Sequence, residues 1–341
     1  MRPTVHDIAA AAGVSLATVD RVLNQRAGVR SVTRQRVEAV ISEIGYVRDM
    51  AAANLAKGRL YPLVFILPAS NNSFMHGLHA EARQAISRGG FERTEIRIIE
   101  VPAFDPAALV EVLDSLAGSD VAGVALVAVD APEVQAAVDR LVRAKVPVVT
   151  LVSDLTGSAR HHYAGIDNIA AGRTAARLLG RFLGGRRGEI LVLAGSLLVR
   201  DHRERLEGFS AMMAEEFSGL TLLPVLEGRD DPEVVQGLIA KALATNAEVI
   251  GIYSIGAGNR GLLAALREQA AGRGLTVVVH ELTDYTRQAL QDGLIDVVLN
   301  QDAGHEVRSA IRVLKAKADG LALIAAQERI RLDIFLKDNL P

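Results

Sequence analysis

The chain contains no cysteine. Neither a disulfide framework nor a thiolate metal site can therefore form, and the absence fits a reducing compartment. No apolar run approaches the ~20 residues needed to cross a bilayer. The short apolar stretch from Ile8 to Val14 has Asp7 against it and only Arg2 as a basic residue before it, so it does not read as an export signal. The expectation is a soluble, cytoplasmic protein with no membrane partner. Marks of catalysis are missing too: there is no Gly-x-Ser-x-Gly elbow and no His-Glu-x-x-His pair. His76 and His79 lie one helical turn apart and His161 and His162 are adjacent, but no further ligand pattern accompanies them. The scattered carboxylates read as solvated faces. No catalytic residue, resident metal or cofactor is expected.

What is present is a chain of 341 residues, half of them hydrophobic and 23% charged, enough for two or three domains with sizeable cores. The net charge of −2 hides an asymmetry. Residues 1–59 hold nine Lys/Arg against five acids, net +4, so the remainder carries −6. A basic head on an acidic body suits a DNA-binding module joined to a domain that does not bind DNA, because phosphate contacts supply much of the affinity.

Within that head the run from Thr4 to Asn24 predicts two short helices around a tight turn. Thr4 is a good N-cap with Asp7 three residues on, and Ile8, Ala9 and Ala12 form a small apolar stripe. Gly13 breaks the helix. Ser15 then caps a second helix in which Val19, Val22 and Leu23 point one way, while Leu16, Ala17, Asp20, Arg21 and Asn24 share the other face. An α-helix fits the DNA major groove, and its first turns can carry side chains to base edges. An ordinary helical hairpin is the plain alternative. A third amphipathic helix is expected over 33–46, with Val37, Val40, Ile41 and Ile44 inward and Gly45 as its stop.

The run Thr-x-x-Asp-Ile-Ala-x-x-Ala-Gly-Val-Ser-x-x-Thr-Val-x-Arg-Val-Leu-Asn resembles the DNA-binding signature of the LacI (lactose-repressor) family of bacterial transcription regulators. It is matched at Thr4, Asp7, Ile8, Ala9, Ala12 to Ser15, Thr18, Val19 and Arg21 to Asn24. One departure is Asp20, where the family usually has Ser; a carboxylate near phosphates is unfavourable unless it accepts from a cytosine amino group or a neighbouring donor. Base reading falls to Leu16, Ala17 and Arg21, with Arg21 suited to guanine and the apolar pair to thymine methyls; Ser15, Thr18 and Asn24 suit phosphates. The resemblance implies double-stranded operator DNA as partner and a homodimer on a palindrome, since one small head makes too few contacts. No heptad tail follows the core, so no tail-mediated tetramer is expected.

The domains are expected at 1–48 (helix-turn-helix head), 49–59 (hinge or linker) and 60–341 (effector binding and dimerisation). The linker is alanine-rich and too short to be a stable helix alone. In the family this segment is a hinge helix that wedges a leucine into the minor groove, which implies that role for Leu55; a plain tether is the alternative.

From Leu63 onward short apolar runs (63–67, 96–101, 121–129, 146–151, 190–194, 220–226, 249–253, 275–280 and 296–300) alternate with helical stretches (106–117, 133–144, 170–183, 203–217, 232–244 and 261–271). Continuous apolar strands alternating with helices argue for an α/β body of parallel sheets covered on both faces, and about 280 residues argue for two lobes. The polar segment 154–163 is the expected crossing. The fold class is thus an all-α helix-turn-helix head plus an α/β effector domain of two doubly wound parallel-sheet lobes. The family's effector domain is of this kind, like the periplasmic sugar-binding proteins.

A ligand should sit at the carboxyl ends of the strands. Pro68-Ala69-Ser70-Asn71-Asn72-Ser73-Phe74 is similar to the Asn-Pro-Phe motif of sugar-binding relatives, which implies an amide on hydroxyls from Asn72 and an aromatic platform from Phe74. Arg205, three residues before Gly208-Phe209, matches the family's ligand-binding arginine, a fixed donor for hydroxyls and carboxylates. Asp167-Asn168 is also a family motif, with a helix-cap role equally open. Two departures bear on ligand identity: the acid expected at Val152 is Asp154 instead, and Ile255-Gly256 replaces an Asn-Asp. Asn259, Glu281 and the pair Gln301-Asp302 stand as replacements, and the resemblance implies a small sugar or polyol-like effector that alters operator affinity by shifting populations.

The competing signal is Gly256-Ala257-Gly258-Asn259-Arg260-Gly261. It is a Gly-x-Gly-x-x-Gly that follows an expected strand, opens a helix and has Glu281 twenty residues on, the layout of a dinucleotide fingerprint. An NAD(P)-binding redox sensor or enzyme is therefore the alternative, and a periplasmic transport protein is a weaker one because it leaves the first 58 residues without a use.

Overall fold

The computed structural model describes residues 3–46, 59–269 and 274–341, and the chain falls into two compact units, Met1–Arg59 and Leu60–Pro341. In the first unit α1 (Val5–Ala12) is closed at its start by a reciprocal capping box between Thr4 and Asp7, and at its end by Gly13 in the left-handed region (φ 64°). α2 (Leu16–Leu23) starts at Ser15, whose hydroxyl accepts from the Thr18 amide. α3 (Ser31–Glu43) begins two residues earlier than expected and ends before Gly45, which turns left-handed (φ 64°). Ile8, Ala12, Val19, Val22, Val37 and Val40 are buried together as the core of the unit. Burying each valine or isoleucine contributes roughly 1.5–3 kcal/mol and each alanine less, so this small core, which Ala9 completes, holds the three helices but leaves little reserve.

The second unit carries two sheets. In the first, β1 (Tyr61–Ala69), β2 (Thr94–Pro102), β3 (Gly123–Leu126), β4 (Val148–Leu151) and β5 (His162–Ala164) are all parallel, in the order β2-β1-β3-β4-β5. Both faces of β1 are buried: Leu63, Phe65 and Leu67 pack under α4 (Ser73–Glu92) and α12 (Ala303–Ala318), while Val64 and Ile66 pack under α5 (Pro106–Leu116) and α6 (Pro132–Arg143). Burial on both faces is why the sequence reads as unbroken apolar runs.

In the second sheet β6 (Gly188–Ala194), β7 (Leu220–Leu222), β9 (Val249–Ser254), β10 (Thr276–His280), β11 (Val297–Gln301) and β12 (Leu332–Phe335) take the order β12-β11-β10-β9-β6-β7, and β8 (Leu226–Glu227) adds to β6. All pair in parallel except β12, which runs antiparallel to β11. α7 (Asn168–Phe182) and α8 (Arg200–Glu216) cover one face; α9 (Pro232–Thr245), α10 (Asn259–Gln269) and α11 (Asp284–Gln291) cover the other.

The chain passes between the lobes three times, at 165–167, at 302 and over 319–331. The crossing expected at 154–163 is displaced: that segment stays in the first lobe, where Arg160 folds back onto Asp154 and β5 pairs with β4. Its polar residues satisfy one another instead of marking a linker. The expected 220–226 strand is split into β7 and β8, and β5 and β12 were not expected at all, being short and half-buried. In each sheet the strand order reverses once, between β1 and β3 and between β6 and β9. Ligands in such folds sit outside the carboxyl ends at those reversals.

Candidate functional site

In the helical unit the expected nucleic-acid face is present as a surface. Leu16, Ala17, Asp20 and Arg21 are exposed, Thr18 and Asn24 are half-buried, and Val19 and Val22 face the core. The two cap residues are committed locally, Thr4 to Asp7 and Ser15 to Thr18, whose hydroxyls lie 3.0 Å apart in the second pair. Asp20 has found the neighbouring donors its position demands: Asn24 Nδ2 donates to Oδ1 at 2.6 Å, and Arg26 Nη1 reaches Oδ2 at 3.2 Å. The carboxylate is thereby partly neutralised, while Arg21, one residue on, is exposed. Leu55 and most of the 49–59 linker lie outside the described residues.

In the second unit the carboxyl ends of β1, β2, β3 and β4 face those of β6 and β8 across a cavity of about 60 Å³. Its first-lobe wall is mostly apolar: Met75, Val101, Phe104, Val127, Val129 and Val152. The second-lobe wall is formed by Val199, Asp201, His202 and Asp230, and Asn72 reaches the same space from the end of β1. Among the described residues around the cleft, Phe104 (φ 60°), Val152 (φ 61°), Asp230 (φ 60°) and Glu281 (φ 73°) hold left-handed backbone without being glycine. For a β-branched residue that conformation costs of order 1–3 kcal/mol, and such strain gathers at functional sites. The Tyr163 hydroxyl, 2.8 Å from the Val152 carbonyl, helps to hold it.

Behind the cavity lies a buried polar cluster built on Arg205, which is 1% exposed. Its Nε donates to Asn168 Oδ1 at 2.9 Å, and its Nη1 donates to the Ile255 carbonyl at 2.7 Å and reaches Glu281 Oε1 at 3.3 Å. Glu281 in turn accepts from the Gln301 side chain and backbone amide. Arg205, Glu281 and Gln301, picked from three separate stretches of sequence, thus meet in one network, and Asn168 joins them while Asp167 caps α7. Burial opposes the charge on Arg205, yet facing Glu281 and then Asp201 holds its pKa above the ordinary value. Burial pushes the Glu281 carboxyl up against the pull of Arg205, and pushes Glu306, whose two oxygens have no hydrogen-bond partner, well above the usual range.

Other expected ligand residues are placed differently. Asn72 Oδ1 caps α4 by accepting from the Phe74 amide at 2.8 Å, so only its Nδ2 is turned across the cleft, 3.5 Å from the Gly256 carbonyl. Phe74 is buried in the first-lobe core, with one edge on a smaller pocket that it shares with Asn259 and Glu281. Asn259 spends its amide on Ser254 Oγ and the His280 carbonyl, tying β9 to β10. Asp154 lines none of these cavities; Arg160, Thr150 and the Leu155 amide hold it within its own loop, and these donors keep its carboxyl below the ordinary value against the opposing effect of burial. Sequence reading missed Ser153, Asp201, His202 and Asp230. Asp201 and His202 stand beside Arg205 on α8; Asp230 carried a fainter signal, since Asp231 next to it caps α9 and Arg229 and Asp230 both turn left-handed, leaving the Asp230 side chain for the cleft.

The glycine-rich run is also accounted for by packing. A Cβ at Gly256 would come 2.8 Å from Arg205 Nη1, one at Gly258 would come 2.5 Å from Val235, and one at Gly261 would meet the Pro232 carbonyl at 2.1 Å. The glycines let α10 close against α9 and the cleft floor, and Glu281, which a dinucleotide ribose would need, is buried against Arg205. Among the described residues no group of three or more His, Asp or Glu is disposed to hold a metal ion, and no helix is long and apolar enough to cross a membrane.

Residues 63–322 match the family model described as a periplasmic binding protein domain, and residues 4–49 match that of bacterial regulatory proteins, lacI family. The chain is 25% identical over 278 residues to the HTH-type transcriptional regulator DegA of Bacillus subtilis, covering 81% of this chain and 79% of that protein. It is 36% identical over 88 residues to the ribose operon repressor of the same organism, covering 26% of this chain and 27% of the repressor. Among solved structures, an ABC transporter solute binding protein from Burkholderia graminis in complex with D-arabinose matches with a TM-score of 0.73 at 23% identity, over 82% of this chain and 96% of that one, a likeness of fold. Both models, the capped helix pair and the doubly wound lobes agree, and the chain belongs to the lacI family of bacterial regulatory proteins, transcription regulators that are not enzymes, with a periplasmic-binding-protein-like α/β domain behind the helix-turn-helix.

Proposed function

We propose that this protein is a cytoplasmic, ligand-responsive repressor that binds a palindromic operator as a homodimer and loses operator affinity when a small sugar or polyol-like effector occupies the cleft between its lobes. The observation that carries the effector half is the convergence of unpartnered, buried polar atoms from both lobes on one cavity: Ser153 Oγ from the first, Asp201 Oδ1 and Asp230 Oδ1 from the second. Buried polar groups lose roughly 1–3 kcal/mol each when left without a partner, so a hydroxylated ligand bridging them would favour the closed cleft. A ligand can shift the equilibrium only by its differential affinity for the two states, and bridging contacts supply that difference.

In this reading residues 1–48 bind DNA, 49–59 form the hinge and 60–341 bind effector and dimerise. Leu16, Ala17 and Arg21 read bases, Thr4, Ser15, Thr18 and Asn24 face phosphates, Asp20 orders Asn24 and Arg26, and Leu55 enters the minor groove. Asn72 and Phe74 border the ligand; Arg205, Glu281, Gln301 and Asn259 build its floor; Asp154 fixes the loop after β4. The D-arabinose complex of the solved relative and the name of the ribose operon repressor support the sugar class. The test is titration of the full chain onto DNA from upstream of its own gene, by mobility shift, with and without a library of sugars and polyols. Release of a specific complex by one compound is the expected result; a specific complex that no sugar or polyol perturbs would overturn the effector half, and equal affinity for all DNA would overturn the operator half.

A further inference from the structure

The charge around the cleft is one-sided. Asp105, Asp201 and Asp230 line the main cavity, and no lysine or arginine does so among the described residues; His202 is the one lining residue that can become positive. His202 is held with Nδ1 2.9 Å from the Ser196 carbonyl and Nε2 3.7 Å from Asp201 Oδ2. Of the nearby guanidiniums, Arg203 pairs with Asp130 and Arg200 with Glu204, while Arg205, behind the lining, binds Asn168, Ile255 and Glu281 through Nε and Nη1 and keeps its buried Nη2 without a partner. Asp105 is spent as the cap of α5, accepting from the Ala108 amide. Asp201, 5% exposed, and Asp230 each keep one oxygen without a partner, and Ser153, 1% exposed, keeps its hydroxyl. The opposite wall offers the side chains of Met75, Phe104 and four valines.

Resting on the proposed effector site, we infer that the effector is an amine-bearing sugar or polyol, its ammonium held by Asp201 and Asp230 and its less hydroxylated face laid against the valine-rich first-lobe wall. Arg205 and His202 lie near Asp201, and His202 near Asp230, yet one buried oxygen of each carboxyl stays without a donor, and a ligand ammonium supplies donors and charge to both at once. Burial, with Asp201 adding to it, pushes the Asp230 carboxyl upward against the opposing pull of His202 and Asn72. The same arrangement disfavours sugar phosphates and sugar acids, whose charge would meet two carboxyls in a desolvated space that no arginine lines among the described residues.

The test is a thermal-shift and calorimetric comparison on the full chain with matched sets of probes: D-glucose, D-glucosamine and D-glucose 6-phosphate, and the corresponding galactose and mannose sets with their amino and phosphate forms. At least one amino sugar should raise the melting temperature saturably and bind at least tenfold more tightly than its neutral partner, with the phosphate silent. Asp230→Asn and Asp201→Asn should each reduce that preference to threefold or less while leaving the unliganded melting temperature unchanged or higher. A neutral or phosphorylated sugar that binds as well as its amine, or silence from every amine, would overturn the inference. If a neutral sugar binds and releases operator DNA, the regulator reading stands and the charge argument fails; if an amine binds without altering operator affinity, the charge argument stands and the effector reading fails.

Discussion

At the scale of single residues, two arginines close in type have opposite environments. Arg21 is exposed on the free face of α2, so its loss should leave the fold intact and remove a bidentate donor to a base. Arg21→Ala is expected to lower affinity for the specific site by about 1–3 kcal/mol and to flatten discrimination at one base position, read by competitive binding to operator variants; an equal loss on all DNA would make Arg21 a phosphate contact instead. Arg205 is buried against Glu281, so Arg205→Met should destabilise the effector unit by about 3–5 kcal/mol, chiefly because Glu281 is left as an uncompensated charge. Adding Glu281→Gln should restore part of that loss in urea unfolding, and a double variant no more stable than the single one would disprove the pairing argument. Glu306 gives a pH test. Its carboxyl lies well above the ordinary 4.5 in the folded protein because of burial, so the folded state holds this proton more tightly than the unfolded chain does. The stability it contributes is complete below about 4.5 and is lost as pH rises through the folded value. Glu306→Gln should therefore match the parent protein near pH 4.5 and exceed its melting temperature increasingly as pH rises; a difference that does not change with pH would show that Glu306 is not the group concerned.

At the scale of elements, α7 and α8 cross where two glycines meet backbone. A Cβ at Gly172 would lie 1.9 Å from the Arg205 carbonyl oxygen, and one at Gly208 would lie 2.1 Å from that of Ile169. Neither glycine needs a left-handed backbone; what they supply is absence of volume, and that closeness sets Arg205 at the depth where it reaches Asn168 and Ile255. Gly172→Ala or Gly208→Ala should cost about 1–3 kcal/mol by overpacking and lower effector affinity as well, measured by unfolding and by calorimetry; an alanine variant of unchanged stability would show that the crossing can relax. The same helix pair shows how much of the site was legible. Arg205 stood out in the sequence because its spacing to Gly208-Phe209 is local. Asp201 and His202, four and three residues before it, did not, since nothing local distinguishes a cleft-facing acid on the first turn of a helix from one that merely complements the helix dipole.

At the scale of the whole effector unit, closure is held by pairs that join the lobes. Asp130, after β3, meets Arg203 and lies 3.7 Å from Arg200, both on α8, and Arg260 Nη2 donates to the Asn71 carbonyl at 2.8 Å. These are partly exposed contacts, each of modest energy, and they set the balance between open and closed cleft rather than the fold. Asp130→Asn should thus leave the unfolding free energy within about 0.5 kcal/mol of the parent and raise the dissociation rate of the effector several-fold, followed by stopped-flow; an unchanged rate would remove Asp130 from the closing mechanism.

The sequence by itself determined the local matters. Thr4, Gly13 and Ser15 specify the helix boundaries through caps and a left-handed turn within a few residues of themselves, and the free face of α2 follows from helical periodicity. The alternation of apolar runs with amphipathic stretches likewise determined two doubly covered sheets of parallel strands, to which the tertiary structure adds the antiparallel β12. Only the tertiary structure decided which polar residues share the cleft. Ser153, Asp201 and Asp230 come from the loop after β4, the first turn of α8 and the loop before α9, and are brought together by three crossings of the chain between lobes, while Asp154, one residue from Ser153, is turned away to Arg160. Local propensity acts over a few residues, whereas the direction of a side chain at a strand end is set by which lobe its neighbours have already filled, and that is settled only when the two sheets close on each other.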